Sequence, residues 1–240
     1  MKLQNESNTN SKSLAVPRGE YLDVHTHNKH ASWWHLYSVL LGKELVEQAV
    51  ATVGIHPWYI SDNWSEELEL FKAEVHAGAI LPWGIGECGL DVVCDTQLDL
   101  QKKVFDAQVA LAGELNVPVV LHCVKAYQEV YDRIVANDSV PSWIFHWFSG
   151  SIKDLEQLLS FNTFFSFGKD IVSGNKKRIA VLKVCPLDRM LFETDDWDGE
   201  ISEVYKVASE LLGVDETYLI ERIYKNVVKA MSAASHGIIT

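Results

Sequence analysis

The sequence predicts an α/β protein built as a parallel (β/α)8 barrel. Three observations carry that expectation: about eight short apolar runs of strand length, helical spacing after most of them, and histidines or carboxylates where several of the runs end. With 240 residues and 48% hydrophobic content the chain can bury a full core, as one large domain or two small ones. No repeat or Pro/Gly/Ser-rich linker divides it, so a single barrel over residues 20–240 is expected after a polar, Ser- and Asn-rich flexible arm at residues 1–19.

In chain order, residues 21–24 form a short strand leading into His25-Thr26-His27. Residues 34–41 read as β, broken by Gly42; His30 and His35 beside them lack ligand spacing and read as loop or core residues. Residues 48–54 are the third strand, closed by Ile55-His56-Pro57-Trp58. Leu68, Phe71 and Val75 recur at helical spacing within 65–76. The run 79–85 then reads as a buried strand that places Glu87 at its carboxyl end. Thr96 followed by Asp99 is a capping-box pattern opening a helix over 97–115, with Phe105, Val109 and Ala112 on its buried stripe. Strands at 116–121 and 142–145 end in His122 and His146; the helices after them span 127–136 and 151–160, with Ser149 and Ser151 as caps. A strand at 163–167, a helix at 176–184 and a strand at 189–192 lead to Glu193-Thr194-Asp195-Asp196, and helices at 201–212 and 216–231 close the chain.

A formal net charge of −12 argues against a basic nucleic-acid face and against a polybasic membrane anchor. It leaves a phosphate substrate possible, because bound divalent cations reverse the local sign. Cys88, Cys94, Cys123 and Cys185 follow no CxxC or CxxH pattern and read as reduced thiols. No signal-peptide pattern and no apolar span of about 20 residues is present, so a cytoplasmic protein without membrane partners is expected.

The chemistry is suggested by position. His25 and His27, two residues apart at a strand end, share a face and can reach one metal. With Glu87, His122, His146 and Asp195 they make six ligand-type residues at the carboxyl ends of five predicted strands, where parallel barrels keep their active sites. Imidazole with carboxylate suits Zn, Mn or Fe, and Mg where carboxylates and water dominate.

The segments Asp23-Val24-His25-Thr26-His27, Gly54-Ile55-His56-Pro57, Gly86-Glu87-Cys88-Gly89-Leu90-Asp91, Leu121-His122-Cys123, His146-Trp147-Phe148-Ser149-Gly150-Ser151 and Glu193-Thr194-Asp195 resemble, in this order, the signatures of the TatD family of metal-dependent deoxyribonucleases. The resemblance runs from about Tyr21 to Met231 and takes in Gln101, Phe105 and Asn226. It implies a distorted (β/α)8 TIM barrel of the amidohydrolase type, a one- or two-metal centre and phosphodiester hydrolysis. Two departures stand out. Val124 occupies the place of a family arginine, with Lys125 one position later, and the stretch from His27 to Gly54 is too short for a full first βα unit.

One cation is expected on His25, His27, Glu87 and Asp195, and a second on Glu87, His122 and His146, giving one or two divalent cations (Mg, Mn or Zn) per chain. Glu87 bridges, and Asp195 accepts the proton of the attacking water, which makes these two the expected catalytic residues. His56 and Lys125 are candidates for contacting the substrate phosphate, with a structural histidine and a solvated lysine as the alternatives. Asp91 is expected to orient a ligand histidine or the Glu87 loop. Trp58 and Trp147 could stack on a base or simply pack the rim. The expected substrate is DNA, as single strands or ends cut from the 3′ side by a monomer. Hydrolysis of a small amide, lactone or amino-purine, and an inactive binding protein of the same fold, are the alternatives.

Overall fold

Runs such as Leu22–Thr26 and Thr163–Phe167 are buried at every position, as strands of a parallel sheet covered on both faces must be. The computed structural model describes residues 16–29, 31–43 and 51–231. Its eight strands lie side by side in sequence order: β1 (Leu22–Thr26), β2 (Trp34–Leu40), β3 (Ala51–Gly54), β4 (Gly84–Asp91), β5 (Val119–Val124), β6 (Trp143–Phe145), β7 (Thr163–Phe167) and β8 (Met190–Phe192). Every neighbouring pair is parallel. A bridge between Thr26 and Asp195 closes the ring, with the His27 N–H donating to the Asp195 carbonyl at 3.0 Å and the Asp195 N–H to the His25 carbonyl at 2.9 Å. The seam of the (β/α)8 barrel thus runs through expected site residues.

The helices are α1 (Trp64–His76), α2 (Leu98–Leu115), α3 (Tyr127–Val135), α4 (Ile152–Leu158), α5 (Lys169–Val172), α6 (Lys176–Val184), α7 (Ile201–Leu212) and α8 (Glu216–Met231). A parallel crossover ordinarily needs a dozen residues or more. Residues 27–33 join β1 to β2 directly, with no helix among the described residues, which is the shortened first unit. His30 lies outside the described residues, as do residues 48–50 of the expected third strand. Of the expected arm, residues 1–15 are likewise outside; Val16 packs on the core and Arg18 pairs with Glu221 on α8 at 2.9 Å.

Three sequence expectations shift. The apolar run 79–85 is mostly the approach to β4, which begins at Gly84 and continues through Glu87 to Asp91. Similarly β5 begins three residues after Asn116, a left-handed helix cap, and carries His122 inside it. Glu87 and His122 therefore lie within strands, not at their ends. The Thr96/Asp99 capping box does not form: α2 starts at Leu98 without a side-chain cap, and the Thr96 carbonyl accepts from Gln101 Nε2 at 2.7 Å. Ser151 does cap α4, in a capping box with Asp154, whereas Ser149 hydrogen-bonds Tyr127. The one-turn helix α5 has no counterpart in the sequence reading, because four residues are too few to show a period.

Gln108 on α2 ties the helix to the wall. Its Oε1 accepts from the Ile55 N–H at 2.7 Å and its Nε2 donates to the Ile55 carbonyl at 3.1 Å, fixing the backbone just before His56. Removing the amide leaves both buried backbone groups unpaired at about 1–3 kcal/mol each. Gln108→Ala is expected to lower the free energy of unfolding by about 2–6 kcal/mol in urea titrations, summing those two costs; a loss below about 0.5 kcal/mol would contradict this bracing role.

Candidate metal centre

Glu87 sits where the β4–β5 register slips between Ile85 and Cys88, a bulge of the kind that re-aims side chains near sites. The flanking glycines permit it. Gly89 lies opposite His122, and a Cβ there would fall 2.0 Å from the His122 carbonyl oxygen, so only glycine lets the strands approach. Glu87 and Asp91 share one face of β4 and both reach the ring of His122 on β5.

Five histidine rings surround the buried Glu87 carboxylate, divided between its two oxygens. Oε2 faces His25 Nε2 at 3.3 Å and His27 Nε2 at 3.5 Å, and both nitrogens stand 3.6 Å from Asp195 Oδ1. Oε1 meets His146 Nε2 at 2.6 Å, His122 Nδ1 at 2.7 Å and His56 Nε2 at 3.1 Å. All six expected ligands come together here. His56, a candidate for contacting the phosphate, lines the cavity above the cluster and also meets Oε1. Lys125 is exposed and does not line the cavity above the cluster.

The donor set fits a cation. His25 is buried with both ring nitrogens lacking a hydrogen-bond partner, a deficit of about 1–3 kcal/mol per group unless a ligand fills it. A tetrahedral ion with bonds of about 2.0–2.2 Å sets its ligand atoms roughly 3.3–3.6 Å apart, the spacing found on the Oε2 side. On the Oε1 side the contacts have hydrogen-bond lengths, so a cation there would displace imidazole protons.

Electrostatics follow this arrangement. Burial opposes ionisation of Glu87, yet the facing His146 and the hydrogen bonds from His122 and His146 hold it well below the usual carboxylate range. Burial would lower His146, but the charge of Glu87 lifts it well above an ordinary imidazole. Burial lowers His56 and raises Asp195, the latter against the pull of His25 and His146. Asp91 is held low, against burial, by hydrogen bonds from His122 Nε2 at 3.2 Å and Trp58 Nε1 at 2.6 Å. Burial pushes Asp23 up to about 7, against the two hydrogen bonds it accepts from Thr194.

A cavity of about 570 Å³ opens over the cluster. Glu87, His27, His56, His122, His146 and Asp195 form its floor, and Leu40, Trp58, Tyr59, Val124 and Trp147 stand among its walls; no lysine or arginine lines it among the described residues. Asp195 and Trp147 hold left-handed backbone (φ 55° and 39°), the strain that clusters at functional sites.

Some contributors escape a reading of spacing. Glu193 is buried, accepts from the Trp147 N–H and lies 3.7 Å from His146 Nδ1. Gln101 clasps Asp91, accepting from its N–H at 2.8 Å and donating to its carbonyl at 2.9 Å. Lys169 lies over the Trp147 ring and pairs with Asp196 at 3.0 Å. Glu193 adjoins Thr194-Asp195, the one signal that could have marked it.

A model of the family described as TatD related DNase matches residues 22–232, and the chain belongs to that family. The uncharacterized metal-dependent hydrolase YabD of Bacillus subtilis (strain 168) is 34% identical over 159 residues, covering 63% of this chain and 61% of the relative. The 3′-5′ ssDNA/RNA exonuclease TatD of Yersinia pseudotuberculosis serotype O:3 (strain YPIII) is 34% identical over 151 residues, 60% of this chain and 56% of the relative. The match thus spans less than two thirds of either protein. The crystal structure of YJJV, a TatD homologue from Escherichia coli K12, shares the fold with a TM-score of 0.74 at 20% identity, covering 88% of this chain and 97% of that one.

Since Glu87 is the carboxylate that meets both groups of donors, Glu87→Ala should remove most bound metal. Mn2+ or Zn2+ retained after dialysis, measured by mass spectrometry, is expected to fall about tenfold or more with near-ultraviolet circular dichroism unchanged; wild-type metal content in the folded variant would show that Glu87 is no ligand.

Proposed function

We propose that the chain is a divalent-metal-dependent nuclease that hydrolyses phosphodiester bonds of DNA, working from the 3′ end of single strands or frayed ends. The observation that carries the reading is one buried carboxylate shared between two sets of ligand-type groups on the floor of an open cavity. His25, His27, Glu87 and Asp195 would hold one cation, and Glu87, His122 and His146 a second; His56, whose Nδ1 accepts from the Trp58 N–H and whose Nε2 therefore carries the proton, would donate to a phosphate oxygen. Bound there, Mg, Mn or Zn supplies Lewis-acid activation of water and charge neutralisation at the phosphate.

The chain's own groups do the rest. Asp195, lining the cavity beside the β1 histidines, takes the proton of the attacking water. Asp91 fixes the tautomer and orientation of His122 through Nε2, and Gln101 fixes Asp91 in turn. His56, held by the Trp58 N–H on its Nδ1 at 3.1 Å, keeps Nε2 directed at Glu87. The 3′-5′ direction, and single-stranded RNA as a further substrate, are supported by the name of the Yersinia relative. A barrel of residues 20–240 acting as a monomer is proposed with it. Four free cysteines, three of them buried, suit a reducing compartment such as the cytoplasm, and no helix among the described residues is long and apolar enough to cross a membrane.

With a net charge of −12 and no lysine or arginine lining the cavity among the described residues, a polyanion gains little from the surface and only a strand end should react. End-labelled linear and circular single-stranded DNA, incubated with chelated and metal-restored protein, test this. Linear strands should shorten only with metal, circles should persist, and binding should weaken only shallowly with salt. Rapid nicking of circles or activity in excess chelator would contradict the reading.

A further inference from the structure

Trp58 lines two separate concavities. One is the cavity over the metal centre; the other, about 300 Å³, is walled by Trp58, Val93, Cys94, Asp95 and Thr96 at the start of the β4–α2 loop. Both volumes fall in the range of about 300–1,000 Å³ typical of small-ligand sites. The indole, 53% exposed, therefore stands as a partition with open space on each side.

That ring is held in place. Its Nε1 donates to Asp91 Oδ2 at 2.6 Å, the same oxygen that meets His122 Nε2 at 3.2 Å, and it lies edge-on to the rings of His56 and His122 at 5.0 and 5.8 Å. A tryptophan whose only polar group is satisfied inward offers π faces to a ligand and loses little freedom on binding. The outer concavity suits a base better than a phosphate: Val93 is an exposed apolar wall, and the Asp95 carboxylate would repel an anion.

Resting on the nuclease reading, we propose that the outer concavity receives the second base of a single strand whose terminal nucleotide occupies the metal-centre cavity, with Trp58 stacked between them. Stacking tolerates any base, since each has a π face, and here it supplies a grip where no lysine or arginine lines the cavity among the described residues. Parting two adjacent bases is cheaper in a single strand than in a duplex, so the partition also selects unpaired ends. Through Asp91, the ring that reads the strand and the histidine beside Glu87 share one hydrogen-bond acceptor.

The test is a cycle between ring and base. Affinities of Mn2+-loaded wild type and Trp58→Ala are measured by fluorescence anisotropy for a 5′-labelled single-stranded hexamer with cleavage-resistant phosphorothioate linkages, intact or abasic at the penultimate position. Loss of the base should weaken wild-type binding about tenfold and Trp58→Ala binding less than twofold. Trp58→Phe, which keeps an aromatic face, should retain most of the wild-type sensitivity. An equal loss in wild type and Trp58→Ala, or no loss in either, overturns the proposal. Hydrolysis of an unmodified hexamer is scored separately: coupling without hydrolysis would overturn the nuclease reading and leave the base site standing, and hydrolysis without coupling would do the reverse.

Discussion

The structure depends on one buried carboxylate facing five histidines. Burying an ionised Glu87 without compensation is prohibitively costly in a low-dielectric interior. The compensation is split: short hydrogen bonds from His122 and His146 serve one oxygen, while His25, His27 and Asp195 surround the other with no hydrogen bond to satisfy His25. A cation on the Oε2 side completes that half with the chemistry its donors already offer. Much of what surrounds the cluster holds the carboxylate at this spot.

The barrel supplies that precision in layers. The bulge and the close strand approach at Gly89 aim Glu87 inward. Gln108 pins the backbone before His56, and Gln101 pins Asp91. Thr194 binds Asp23 at 2.6 Å and lies next to Asp195, whose backbone closes the ring of strands. A displacement of the β1–β8 seam would thus move His25, His27 and Asp195 together. The two halves of the site are joined through Glu87 and through the His25 and His146 rings, whose centroids lie 4.3 Å apart.

Much of this was legible in the sequence. The strand at Thr163–Phe167 and the helices Ile201–Leu212 and Glu216–Met231 coincide with the apolar pattern, because burial dictates them. The six ligand-type residues were visible because barrel topology gathers residues in and just after the strands into one site, whatever the loops do. The register of β4 and β5 was not, since Gly86 and Gly89 look like strand breakers yet lie inside a strand that needs them for close approach. Nor could spacing separate Lys125, which is exposed and does not line the cavity, from Lys169, which lies over Trp147 at the start of a one-turn helix. Glu193 and Asp23 act through contacts between residues far apart in the chain, beyond any local pattern.

The central claim is that the two oxygens of Glu87 serve two different cation positions. Anomalous diffraction from crystals grown with Mn2+, recorded near the Mn absorption edge, tests it most directly. Two peaks are expected, one among His25, His27, Asp195 and Glu87 Oε2, the other among His122, His146 and Glu87 Oε1. Fully occupied metal that leaves Glu87 out of its coordination would contradict the account.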